Sequence, residues 1–246
     1  MHTNRLRTLW IMFLSAIFMA KTCGHATIKR WRGTITRTWC DQELQRWANR
    51  MRELLRINLQ INNPLEIKPE TGKPTILMCN HCSLFDIPLS LLAFPHNSVR
   101  MLAKKELSRI PIMGAGMMAA EFPFIDRHNH RQALQDLSAV QDLLNSGIVM
   151  WIAPEGMRSR DGNLSKFKKG AFITAIKMGA TIIPIGIRGA DQICPAHTFN
   201  FNLNQTATVN IGASINAREY TLENKEDLMN RVFKTMQSLL EPSKSS

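Results

Sequence analysis

Thr75-Ile76-Leu77-Met78-Cys79-Asn80-His81-Cys82-Ser83-Leu84-Phe85-Asp86 opens as an apolar run and turns polar at its sixth residue. Such a run predicts a buried strand over Thr75 to Met78, and the Asn-His with Ser83 following predicts its exit into a turn and helix. Four residues separate His81 from Asp86, the span of a tight turn plus the first helical turn. That spacing can bring the carboxylate to one imidazole nitrogen and leave the other nitrogen to accept a proton. The carboxylate would then fix the tautomer and favour the imidazolium, which makes His81 a candidate general base. Asn80 and Ser83 are short polar residues suited to holding the turn by backbone hydrogen bonds. Taken alone, the same spacing also describes a capped helix start with a hydrogen-bonded histidine, so the rest of the chain has to decide.

Downstream, apolar runs and helical patterns alternate. Val99 to Ala103, Phe122 to Ile125, Ile148 to Ile152, Thr181 to Ile187 and Thr206 to Ile211 read as strands. Arg131 to Asn145, Gly170 to Met178 and Leu222 to Leu240 read as helices, the last with Thr221 as its cap. This alternation predicts an α/β fold, a largely parallel (mixed) sheet covered by helices, with sites at the C-terminal ends of strands. The 246 residues fit one such domain, over residues 63–246, preceded by an N-terminal segment over residues 1–62.

That leading segment carries most of the charge. The chain has a formal net charge of +12, and residues 1–60 hold 11 Lys/Arg against 3 Asp/Glu. Trp10, Trp31, Trp39 and Trp47 lie in the same segment. Basic residues interleaved with tryptophan suit single-stranded nucleic acid, whose bases stack on rings, or an anionic membrane surface. The apolar run Leu9 to Ala20, with only Ser15 polar, favours the membrane and argues against nucleic acid. As a helix it is ~18 Å long against a hydrocarbon core of ~30 Å, short for spanning. It therefore reads as a membrane-associating helix, monotopic or N-terminally anchored, with a cleaved signal peptide as the alternative; Arg5, Arg7 and Lys21 on both flanks argue against export. Asp41 to Leu59 repeats Leu44, Trp47, Met51, Leu54 and Leu55 at helical spacing, with Asn62-Asn63-Pro64 as its end. Five cysteines without paired spacing suggest a reducing compartment, which together with the basic segment points to the cytoplasmic face of the inner (plasma) membrane.

Further chemistry stands where strands should end. Phe124-Ile125-Asp126-Arg127 and Ala153-Pro154-Glu155-Gly156-Met157-Arg158 each place an arginine just past an apolar run, and Ile182 to Ile187 is an apolar strand interrupted by Pro184. Guanidinium forks from two loops suit a phosphate dianion, and Gly156 admits close backbone approach to a ligand.

Asn80-His81-x-Ser83-x-x-Asp86, Phe124-Ile125-Asp126-Arg127, Pro154-Glu155-Gly156-x-Arg158-Ser159 and Ile183-Pro184-Ile185 occur in that order. Together they resemble the glycerolipid acyltransferase family, most closely its bacterial 1-acylglycerol-3-phosphate acyltransferases. The resemblance covers about residues 65–215 and extends to Lys104-Lys105-Glu106-Leu107, Ile110-Pro111 and Phe167-Lys168-Lys169-Gly170-Ala171. It implies transfer of a fatty acyl group from a coenzyme A or acyl-carrier-protein thioester to a lysophospholipid hydroxyl, with neither cofactor nor metal. In that scheme His81 is the base and Asp86 orients it. Arg127, Arg158, Glu155, Gly156 and Lys105 match acceptor-binding positions, and Asn80, Ser83 and Pro184 support the site. Two positions depart from the family pattern: Met157 stands where threonine is usual, and Glu121 where a glycine often precedes the Phe-Ile-Asp-Arg run. Both bear on the head group accepted.

Two other classes compete. Cys79-x-x-Cys82 with Cys194-x-x-His197 offers four zinc ligands, or the first pair a redox site. A non-catalytic membrane-binding module would keep the fold without the reaction. Neither oligomeric state nor a tunnel for the acyl chain is readable from the sequence.

Overall fold

The computed structural model describes residues 3–125 and 140–241. Thr75–Cys79 forms strand β2, buried along its whole length. Successive side chains alternate, so Leu77 and Cys79 enter a core on one face of the sheet and Ile76 and Met78 a second core on the other. Burial on both faces explains why the run reads as continuously apolar. β2 lies between β6 (Val149–Ile152) and β7 (Thr181–Arg188), parallel to both.

The sheet runs β1 (Asn58–Asn62), β8 (Thr206–Ile211), β7, β2, β6, β3 (Val99–Met101). β8 is antiparallel to β7 and parallel to β1, and β9 (Ile215–Asn216) pairs antiparallel with the start of β7. The sheet is thus mixed and mostly parallel, as the alternation predicts. On the first face lie helices α2 (Arg37–Leu54) and α3 (Asp86–Ala93); α1 (Arg5–Trp31) packs over α2 and α4 (Met113–Ala119). The second face is covered by Phe172 and Ala175 of helix Lys169–Met178 and by Leu228, Val232 and Met236 of helix Lys225–Leu240. Residues 140–145 are helical and add Val140 and Leu144; the earlier part of the helix expected from Arg131 lies outside the described residues.

Three expectations about elements change. The apolar run Leu9 to Ala20 belongs to a 27-residue helix, α1, that continues to Trp31. No proline interrupts it, and the single Gly24 costs only about 1 kcal/mol. At ~40 Å by its rise, α1 is long and apolar enough to cross a membrane, which the run alone is not. The second difference is at its partner. α2 stops at Leu54, where buried Leu55 and Ile57 flank Arg56 with φ +53°, a left-handed residue that breaks the helix. Asn58-Leu59-Gln60-Ile61-Asn62 then alternates with period two and forms edge strand β1, so the sheet begins before residue 63. The third is Val99 to Ala103, which divides: β3 stays in the main sheet, while β4 (Ala103–Lys104) pairs with β5 (Phe124–Ile125) in a separate ribbon. The closing helix starts at Lys225, behind Asn224, whose side chain accepts the Thr221 N–H at 2.6 Å.

A buried ion pair ties the helices to the sheet. Arg100 of β3, 1% exposed, reaches Asp41 of α2 at 2.8 Å, at an angle outside that of a hydrogen bond. Its Nε donates to the Ala120 carbonyl at 2.5 Å, and Ser98 Oγ donates to Asp41 at 2.6 Å.

Candidate active site

β2, β6 and β7 end side by side, and the residues just past their ends build one polar bracket. Asp86, the first residue of α3, has a fully buried side chain. Its Oδ2 accepts the backbone N–H groups of Cys82 and Ser83 at 2.8 Å each and meets His81 Nδ1 at 2.8 Å. A carboxylate oxygen can only accept, so Nδ1 is assigned the proton, and no described residue bonds Nε2. The His81 side chain keeps 17% of its exposure, and its ring meets the edge of Trp151 of β6, centroids 5.6 Å apart. Trp151 Nε1 donates to Ser90 Oγ at 2.9 Å, and Ser90 Oγ donates to the Asp86 carbonyl at 2.7 Å. The imidazole is thereby fixed from both sides.

The remaining polar residues lock the turn. Asn80 acts as an extra rung between β2 and β7: its amide donates to the Ile187 carbonyl at 3.0 Å and accepts the Ile187 N–H at 2.7 Å. Ser83 Oγ donates to the Cys194 carbonyl at 2.8 Å. Pro184 sits opposite Met78 inside β7; pairing with β8 begins only at Ile185, so the proline's missing N–H is not required on that side.

Glu155 takes a different place from the one expected. It is 2% exposed and faces inward, Oε1 accepting the His81 N–H at 2.8 Å and Oε2 accepting Ser165 N–H and Oγ–H at 2.8 and 2.6 Å. A carboxylate with both oxygens so engaged positions the turn and the loop and is not presented to a substrate. Ser159 N–H donates to the His81 carbonyl at 2.7 Å, which brings Arg158 and the left-handed Gly156 (φ +80°) alongside. Arg158 is half-buried and close enough to Cys194 to oppose the rise in its thiol pKa, which burial pushes up to about 11. Lys105 begins a 3-10 turn directly after β4, whose Lys104 pairs with Ile125 at the end of β5. Arg127 and Asp126 lie outside the described residues.

Glu121 has φ +63°, the conformation that explains why glycine suits its position. Its carboxylate turns to α2, where Arg37 grips both oxygens at 2.6 and 2.7 Å. Met157 is 67% exposed. The zinc reading does not assemble. All five cysteines are free and buried, burial raises the thiol pKa of Cys79 and Cys82, and among the described residues no group of three or more His, Cys, Asp or Glu is placed to hold a metal ion.

Beside His81 opens a cavity of about 450 Å³, walled by apolar side chains of α1, α2, α3 and α4. Trp151 lines the cavity and its ring also meets that of His81, so one side chain stands between the two. Sequence reasoning did not find this cavity, Trp151 or Ser90. The cavity's signal in the sequence was the helical stripe of apolar residues in α2, which equally fits a packed core.

A family model described as acyltransferase matches residues 58–188. The chain belongs to the acyltransferase family. It is 35% identical over 131 residues to a chloroplast 1-acyl-sn-glycerol-3-phosphate acyltransferase of Arabidopsis thaliana, covering 53% of this chain and 36% of that one. A putative 1-acyl-sn-glycerol-3-phosphate acyltransferase of Caenorhabditis elegans is 34% identical over 119 residues, covering 48% and 42%. The chain thus spans less than half the length of these two relatives. In fold it matches the crystal structure of the 1-acyl-sn-glycerophosphate acyltransferase of Thermotoga maritima, with a TM-score of 0.78 at 23% identity over 96% of this chain and 93% of that one.

Proposed function

We propose that this acyltransferase moves a fatty acyl group from an acyl thioester to the free hydroxyl of a lysophospholipid, with 1-acylglycerol 3-phosphate as acceptor and phosphatidic acid as product. The observation that carries this reading is His81 with Nδ1 tied to buried Asp86 and no described residue bonded to Nε2, next to an apolar cavity. Nε2 takes the proton of the acceptor hydroxyl as that oxygen attacks the thioester carbonyl carbon. The carbon–sulfur bond then breaks, and the leaving thiolate takes the proton back from the imidazolium. An ester and a free thiol result, with no acyl-enzyme and no metal in the scheme. Asp86 holds the ring and stabilises its charged form.

Arg158, Lys105 and Arg127 supply the cations a phosphomonoester requires, and Gly156 admits it close to the backbone. Asn80, Ser83, Glu155 and Pro184 position the turn. The cavity takes an acyl chain, since it is apolar and of ligand size. The exposed Leu6, Leu9, Trp10, Phe13 and Ile17 of α1 face lipid, which makes the N-terminal helices the membrane-associating part and the sheet the transferase part. We place the site on the cytoplasmic side of the inner (plasma) membrane, where acyl-CoA or acyl-carrier protein is at hand.

The test is a transfer assay on the purified full chain. A panel of lysolipids is offered with both thioester donors, and products are read by mass spectrometry. We expect esterification of the phosphate-bearing lysolipid and none from folded His81→Ala. Full activity in that variant, or no product from any pair, would sink the reading.

A further inference from the structure

Ile112, the residue before α4, is held in a conformation that its side chain resists. Its φ of +66° with ψ of −54° is an outlier for a β-branched residue. The Met113 N–H donates to the Pro111 carbonyl at 2.7 Å, closing the strained form of the γ-turn. Such strain persists only where the surroundings impose it. Here they do: a Cβ on Gly114 would collide with the Ser108 carbonyl, so α4 is pressed against the 3-10 turn leading into this loop. No burial offsets the strain. Ile112 is 54% exposed, Ile110 is 43% exposed, and neither belongs to the core on either face of the sheet. A strained backbone that holds apolar side chains in water has no compensation inside the protein.

The neighbouring helix shows what the turn serves. The apolar stripe of α1 runs on past Ile17 to exposed Ile28 and Trp31. At 100° per residue these two fall in the same sector, about 100° wide, as Leu6, Leu9, Trp10 and Phe13. Gly24 falls at the centre of that sector, where the stripe has no side chain. A Cβ built there would meet Ile112 Cγ2 at 4.0 Å, ordinary contact distance. The γ-turn thus lays Ile112 over the gap and joins the loop to one apolar surface along the length of α1. Near its end, Arg30 donates to the carbonyl of Met118, which is exposed as well. Exposed cations edge this surface, Lys21 on α1 and Arg109 just ahead of Ile110. Apolar side chains with tryptophan among them and cations at the margin suit a bilayer with anionic headgroups.

Resting on the reading that the α1 stripe faces lipid, we infer that Ile110-Pro111-Ile112 is a second membrane contact, outside the N-terminal helices. It enters the bilayer together with the stripe. Because the loop covers the middle of α1, lipid cannot surround the helix there, and α1 lies along the bilayer surface. The loop follows directly on the 3-10 turn that begins at Lys105, ~10 Å of chain at ~2 Å per residue. Anchored at the boundary of headgroups and acyl chains, it keeps Lys105 within that reach of the depth at which a lysolipid carries its phosphate.

The test uses the full-length protein and vesicles of phosphatidylcholine and phosphatidylglycerol. An environment-sensitive fluorophore is attached through Ile112→Cys, Ile17→Cys or Glu223→Cys, the last ahead of the helix that covers the opposite face of the sheet. The five native cysteines are buried, which keeps the labelling selective. Vesicles should shift the fluorophore at 112 and at 17 to the blue, and lipids with a quencher on the acyl chain should darken both but not 223. A second arm uses Ile112→Gly. Glycine takes positive φ freely, so this variant should melt at or above the wild-type temperature. Its partition into vesicles should nevertheless fall about threefold to tenfold, the worth of one half-buried large apolar side chain. Quenching at 17 without 112, or wild-type partition of Ile112→Gly, overturns the inference and leaves the α1 stripe as the lipid contact. A fluorophore at 112 that is shielded without vesicles marks a protein partner and also overturns it. Quenching at 112 without 17 keeps the loop and removes the α1 reading. None of these readouts uses turnover, so the acyl-transfer reading stands or falls separately.

Discussion

Asp86 and Thr22 are both buried polar residues near the same cavity, and their surroundings treat them in opposite ways. Asp86 Oδ2 meets three donors, and none of Asn80, Ser83, Asp86, Ser90 and Glu155 leaves a shielded side-chain atom unpaired. Along the α1–α2 hairpin, Ser15, Thr22 and Trp47 all do. A bracket satisfied from within needs no ligand to hold its shape, so it can present Nε2 of His81 without reorganising at the moment of reaction. The hairpin has no such internal completion: its shielded polar atoms are left without a partner among the described residues. The difference separates a preorganised site from helix packing that leaves polar atoms unmet.

The largest effect should come from breaking the bracket at its charge. Asp86→Asn keeps the shape but replaces the carboxylate behind the imidazolium, and kcat should fall about 10²–10⁴-fold. Steady-state kinetics on folded protein decides it; near-normal turnover would make the pair structural. The next test sets the two regions side by side. Glu155→Gln points an amide N–H₂ at N–H or O–H donors that now meet a carboxylate, and should lower stability by about 1–3 kcal/mol. Thr22→Val removes a hydroxyl with no partner and should leave stability unchanged or raise it by up to about 1 kcal/mol. Denaturant unfolding of both compares them directly, and equal losses would erase the distinction.

The smallest effect concerns pH. The Arg37 guanidinium holds the Glu121 carboxyl below the usual carboxylate range, mainly through their hydrogen bonds. A depressed pKa means stability that is fully present above the unfolded-state pKa and is lost as pH falls through the folded-state value. Both side chains are about a third exposed, so the effect is small. Thermal melts should show wild type losing more stability than Arg37→Gln as the pH is lowered through the acid range. Parallel curves would remove the pair from the account.

The sheet was legible because its strands are sequence-local statements. Thr75–Cys79 and Thr181–Arg188 are buried on both faces and therefore apolar without a break, and Thr206–Ile211 keeps its predicted bounds. β1 was not, since Leu59 and Ile61 lie at an exposed edge and continue the helical spacing of α2 by coincidence. The spacing allowed the His81–Asp86 pairing, and the motifs further along the chain gave it a role. The inward turn of Glu155 did not, because its partners, the His81 N–H and Ser165, come from β2 and from ten residues on, and only the sheet brings them together. The cavity is a property of four helices at once. No window of sequence contains it.

The fit of α1 against α4 has a geometric corollary. A Cβ built on Gly116 would lie 2.3 Å from that of Cys23, so the two backbones touch with no room between them. Together with Lys29 over Trp39, that contact fixes the angular phase of α1 about its own axis. Leu6, Leu9, Trp10, Phe13 and Ile17, upstream on the same helix, inherit that phase. A single residue inserted between Ile17 and Cys23 would turn the whole stripe by about 100°. An insertion of seven would return it to within about 20° of its place while pushing it about two turns, ~10 Å, outward. The tolerance of this segment to length change is therefore periodic, set by rotation before it is set by reach.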